Sequence, residues 1–143
     1  MLFRSDSGLL VDLPLMSKPE SAAAVEVMDK AIPPATFTDR NLFVLLLWRI
    51  VNFSLEHGIS DASCYAYVHG GVLAGVRFGD YKFGFRLGQL CYDLVERRGL
   101  RRFKARTHIG FGVYIVSWTR HWRMARELIG QGFDAANAIG DVT

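Results

Sequence analysis

With 143 residues, half of them hydrophobic and 22% charged, the chain holds enough apolar side chains for one domain with a sizeable core and too many for a disordered segment. The formal net charge of +3 says little about partners, and two cysteines, Cys64 and Cys91, are too few for a disulfide scaffold and lack metal-ligand spacing. The longest uncharged stretch, Ala62 to Val76, has 15 residues, short of the roughly 18 to 20 a membrane span needs, and Arg4, Asp6 and Asp12 break any secretory leader, so the sequence reads as cytoplasmic with no membrane segment.

Residues 1–16 carry no helical period and read as an irregular lead-in; residues 17–143 read as one helical domain. Ser17 resembles an N-cap, with Pro19 near the first helical position and Glu20 three residues after the serine. That first helix, near 19–32, runs through Ala23, Val27 and Ala31 and is expected to stop before Pro33-Pro34, because proline disfavours helix in the residue ahead of it. Thr38 or Asp39 caps a second helix, 39–57, ending at Gly58, and its apolar start, Leu42 to Trp48, predicts burial on several sides. Ser60 and Asp61 open a third, 61–77; Gly79-Asp80 stops it and starts a fourth, 80–98. Leu100 to Arg102 open a fifth, 101–117, and Thr119 caps a sixth, 120–139. Tight turns between six helices make three antiparallel hairpins, and no run alternates with period two for long enough to form a strand.

A period of 41 residues underlies this order. It aligns Gly58, Gly99 and Gly140 at helix ends, Leu46, Leu87 and Leu128, then Val51, Tyr92 and Phe133, then Asn52, Asp93 and Asp134. Val68, Gly71, Val72 and Ala74 are answered by Ile109, Gly112, Val113 and Ile115. A glycine closing a helix supplies a left-handed residue without steric penalty, and Ile59 and Leu100 follow the first two glycines as in a Schellman closure. Interior glycines such as Gly70, Gly71, Gly75, Gly110 and Gly112 each cost about 1 kcal/mol against alanine, which close approach of stacked helices offsets. Gly88 with Tyr92 and Gly132 next to Phe133 fit such nesting. The expected fold is all-α, a right-handed α-solenoid of about three antiparallel hairpins, tetratricopeptide-like with a longer period.

Catalytic constellations are missing from the pattern. There is no G-x-x-x-x-G-K-[ST] phosphate loop and no kinase catalytic loop, and His69-Gly70-Gly71 lacks the G-x-S-x-G partner of an esterase. His57, His69, His108 and His121 form no metal-ligand pair; His69 and His108, within the glycine-rich helices, read as interior side chains or, alternatively, as ligands. The expectation is therefore a non-enzyme with no cofactor and no metal. Candidate interaction residues are the basic cluster Arg97, Arg98, Arg101, Arg102, Lys104 and Arg106, together with Trp118 and Trp122 in Trp118-Thr119-Arg120-His121-Trp122-Arg123. Aromatics joined to cations also bind nucleic acid, so a basic helical nucleic-acid-binding module is the alternative; the competing reading is arginine stems lying over apolar neighbours.

Several segments carry a resemblance: Asp12-Leu13-Pro14-Leu15-Met16, Ile32-Pro33-Pro34-Ala35, Phe37-Thr38-Asp39-Arg40-Asn41-Leu42, Arg77-Phe78-Gly79-Asp80-Tyr81, Phe103-Lys104-Ala105-Arg106 and Trp118-Thr119-Arg120-His121. Across residues 10–143 the chain resembles the helical region of very large bacterial signalling proteins that join a serine/threonine-kinase-like domain, a predicted ATPase, this helical region, a GAF domain and a sensor histidine kinase. The resemblance implies a non-catalytic scaffold that senses a protein partner or couples nucleotide state to an output kinase through neighbouring domains, with nucleic acid disfavoured. No catalytic residue carries over. Only three residues follow Gly140, so the period predicts an array cut there, whose last helix leaves Leu128, Ile129, Phe133 and Ala136 exposed or paired with another copy.

Overall fold

Proline at the first helical position loses no hydrogen bond, and Pro19 opens the first helix of the computed structural model, which describes residues 12–100 and 102–140. That helix, α1, is Pro19–Thr38, followed by α2, Arg40–His57, α3, Asp61–Phe78, and α4, Tyr81–Arg98. The fifth helix, α5, has three consecutive parts: α-helical Lys104–Phe111, a π turn at Gly112–Val116, and α-helical Ser117–Thr119. The sixth, α6, is Trp122–Ile139.

Local capping chemistry sets most of these starts. Asp39 accepts from Asn41 N and Leu42 N at 2.9 and 3.1 Å to open α2, and Asp80 accepts from Phe83 N at 2.9 Å to open α4. Ser60 N donates to Ser63 Oγ at 3.1 Å at the start of α3. Thr119, expected to cap the last helix, instead donates to Ile115 O at 2.8 Å, and His121 Nδ1 accepts from Arg123 N at 3.3 Å.

Three sequence expectations are corrected. Helix α1 does not stop before Pro33-Pro34 but continues to Thr38, because Ile32 and Ala35 on either side of the prolines are buried while both rings face solvent. Leu42 and Leu45 of α2 are 41% and 64% exposed, so the apolar start of that helix is not buried on several sides. Gly99 and Gly140 close their helices in the left-handed conformation, but Gly58 has φ 100 and ψ 167 and a different cause. A Cβ there would lie 2.7 Å from Pro14 O, because the chain before α1 runs against it. Met16 N donates to Ile59 O at 2.9 Å and Ile59 N to Pro14 O at 2.8 Å, a short parallel bridge that holds this segment to the α2–α3 turn.

Packing is most extensive within the pairs α1/α2, α3/α4 and α5/α6, and the first helix of each hairpin also touches the first helix of the next, α1 with α3 and α3 with α5. The chain is thus an all-α solenoid of helical hairpins, and no strand occurs among the described residues. The core runs through its middle: Tyr67, Val68, Leu90, Leu94 and Phe111 are buried, with Ile50 and Leu47 from α2. Tyr67 Oη and Ser54 Oγ, both buried, share a hydrogen bond of 2.6 Å. Gly71 and Gly84 let the α3 and α4 backbones meet, since a Cβ on Gly71 would lie 2.8 Å from Gly84 O, and stepping by 41 residues Gly112 meets Ala125 O in the same way. Both free cysteines are buried, which pushes their thiols up, Cys64 to about 12.

Candidate interaction surface

The basic cluster lies at the α4–α5 turn, and Arg97, Arg102 and Lys104 in it have carboxylate partners. Arg97 stands 3.6 Å from Asp93, and Lys104 Nζ is 2.7 Å from Glu96 Oε1. Arg102 pairs with Glu26 of α1, and its backbone N donates to Asp61 Oδ1 of α3 at 3.3 Å. Arg102 and Arg106 also lie over the Phe103 ring at 5.5 and 5.3 Å, while Arg98 has partners of its own and Arg101 falls outside the described residues. The hydrogen bond and charge of Arg102 hold Glu26 below the usual carboxylate range; burial raises Asp29 and Asp61 despite the cations around them. This turn therefore ties α5 to α1, α3 and α4, with three of its cations charge-paired.

Trp118 and Trp122 are not part of that cluster. Helix α4 has 18 residues, so its ends lie about 27 Å apart at 1.5 Å per residue. Because α5 runs back along α4, Trp118 comes to the start of α4, at the far end from Arg97. There Tyr81, Lys82, Phe85, Arg86, Trp118 and Arg120 line a groove of about 650 Å³. Tyr81 and Trp118 meet edge to face with centroids 6.1 Å apart, and Arg120 sits over Phe85 at 4.5 Å. Sequence reasoning found Trp118 but missed the four residues from α4. Their signal was present as two interleaved pairs four residues apart, aromatic Tyr81 with Phe85 and cationic Lys82 with Arg86. Trp122 stays outside the groove, exposed and covered on one face by Arg126 at 5.3 Å.

Helix α6 divides the remaining candidates. Leu128 is corrected: it is 4% exposed and belongs to the core, packed where the bare backbone of Gly112 admits it. Ile129 and Phe133 are 37% and 63% exposed, and Ile109 and Val113 of α5 are exposed beside them, so two helices contribute to one apolar face. Of the four residues expected to be exposed, Ile129 and Phe133 are, Leu128 is not and Ala136 is half-buried.

The two interior histidines differ. His69 Nδ1 lies 3.1 Å from Tyr65 O, where it donates, and burial lowers its pKa. His108 is fully buried, with neither ring nitrogen hydrogen-bonded; Nε2 stands 3.4 Å from Glu96 Oε1, and the Tyr92 ring is 5.1 Å away. Burial first, then Lys104, push its pKa down to about 4 against the opposing pull of Glu96. No group of three or more His, Cys, Asp or Glu among the described residues is placed to hold a metal ion, and no helix is long and apolar enough to cross a membrane.

The fold and these surfaces define an all-α hairpin array, and its sequence is similar to part of a signalling histidine kinase. The relative is Hybrid signal transduction histidine kinase G of Dictyostelium discoideum, 27% identical over 119 residues that make up 82% of this chain and 4% of the relative. The chain therefore spans a small fraction of that protein's length. No protein family's sequence profile matches the chain, and no solved structure matches it.

Proposed function

We propose that the chain is a non-catalytic scaffold and protein-interaction segment, related to the helical regulatory region of a signalling protein that ends in a histidine kinase. The observation that carries this reading is the exposed α5–α6 face. On the α3–α4 hairpin the equivalent face is covered: Phe111 lies against the bare backbone of Gly88, and Ile115 against Gly71. Stepping by 41 residues converts Gly71 and Gly88 into Gly112 and Ile129, with Ile109, Val113 and Phe133 exposed around them. A face built like one that binds a helix suits a helix from a neighbouring domain, a partner protein or a second copy. The paired basic turn favours this reading over a nucleic-acid-binding module, and the similarity to a histidine kinase segment supports the signalling context.

Light scattering across a concentration series, run with affinity capture of protein partners, tests it on wild type and Phe133→Glu. The expected result is self-association or partner retention that the substitution removes. A wild-type chain that stays monomeric, binds no hydrophobic dye and retains no protein would overturn the reading, as would phosphotransfer or ATP hydrolysis by the purified chain.

A further inference from the structure

The groove at the start of α4 combines two chemistries. Tyr81 and Trp118, each about half exposed, form one wall with their ring planes at 85°. Three cations, Lys82, Arg86 and Arg120, line the same groove. None of the three has a carboxylate partner among the described residues, whereas Arg97, Arg102 and Lys104 at the other end of α4 all do. Lys82 and Arg86 are one helical turn apart, so their charges follow one line along the groove. Arg120, held over the Phe85 ring, keeps its N–H edge available for a planar anion.

Ring geometry narrows the ligand. Successive nucleobases stack on open aromatic faces, but Tyr81 and Trp118 stand nearly perpendicular and the face of Phe85 is covered by Arg120. A perpendicular pair forms a corner, which receives a single branched or aromatic side chain. The groove, of about 650 Å³, lies in the range of small-ligand sites, so it takes a few side chains of a peptide rather than a long segment.

We propose that this groove docks an acidic peptide segment in which carboxylates flank one large apolar side chain. The apolar side chain enters the Tyr81–Trp118 corner, and the carboxylates pair with Lys82, Arg86 and Arg120. The proposal rests on the reading of the chain as a protein-interaction segment and places a docking site apart from the α5–α6 face.

Fluorescence anisotropy with a labelled synthetic peptide of glutamate and aspartate around a central leucine tests it. The controls are the same peptide with glutamine and asparagine, the same peptide with alanine for leucine, and oligothymidylate of matched charge. The acidic peptide is expected to bind, to bind more weakly as salt rises, and to lose at least about tenfold in affinity to Trp118→Ala and to the pair Arg86→Glu with Arg120→Glu. Lys82→Glu, at an exposed position, reads the same charge pairing should the double variant fold poorly. No binding of the acidic peptide, equal binding of the neutral one, tighter binding of oligothymidylate, or indifference to the substitutions would each overturn the proposal. Those results leave the scaffold reading standing, because that reading is measured through Phe133→Glu.

Discussion

His108 shows how a single side chain can set the pH response of the whole chain. It is buried without a hydrogen bond to either nitrogen, and its pKa lies at about 4 while an unfolded histidine titrates near the ordinary value of about 6.5. A histidine with a depressed folded-state pKa binds its proton more readily in the unfolded chain, so stability falls as pH drops from the unfolded value toward the folded one. Between about pH 7 and pH 5 the expected loss is on the order of 2 kcal/mol, measured by urea unfolding at the two pH values. His69 acts in the same direction, whereas Asp29 and Asp61, raised by burial, act in the opposite sense only from the carboxylate range. His108→Leu should keep stability at neutral pH and flatten the dependence; an unchanged slope would assign it to other groups. Gly88 gives a second prediction, because a Cβ there would overlap the Phe111 ring. Gly88→Ala should destabilise by roughly 1 to 3 kcal/mol, and Phe111→Leu in the same chain should recover part of the loss. At this scale the site was half legible. Trp118 stood out as an aromatic among cations, but nothing in the local sequence singled out Lys82 and Arg86, and only the crossing of α4 with α5 brings the two sets together.

The helices were read best where a side chain caps its own backbone. Asp39, Asp80 and Gly99 act locally, so their roles follow from a few neighbouring residues. What escaped the sequence depends on distant partners: α1 passes through Pro33-Pro34 because Ile32 and Ala35 are buried, and Gly58 is shaped by Pro14, far away in the chain. The π turn at Gly112–Val116 begins at the glycine that meets the Ala125 carbonyl of α6. Prolines inside a helix remove donors, so Pro33→Ala should raise stability by about 1 to 3 kcal/mol, seen as a higher midpoint in a circular-dichroism melt. A lower midpoint would mean that the proline stabilises α1 through the unfolded chain more than it weakens the helix. Gly58→Ala is expected to act the other way, since its φ is positive and the Pro14 carbonyl leaves no room.

Across the whole molecule, each hairpin packs most extensively within itself and is then supported by the hairpins next to it, and the middle one has a neighbour on either side. Ten residues of α3 are buried, against Ala125, Leu128 and Gly132 alone in α6. Local opening should therefore be graded along the array. Amide hydrogen exchange is expected to be slowest at Tyr67, Val68, Leu90 and Leu94 and fastest in α6. Helix α1 should fall between, held by the Leu15–Ile59 bridge and by Arg102 pairing with Glu26. Arg102→Ala ought to speed exchange in α1 more than in α4, because it cuts a tie between the first and third hairpins. Equal protection in α6 and α3 at low concentration would contradict a nearest-neighbour array. Protection of α6 that rises with concentration, and fails to rise in Phe133→Glu, would instead show the exposed α5–α6 face gaining from another copy the cover that α5 gives to α3 and α4.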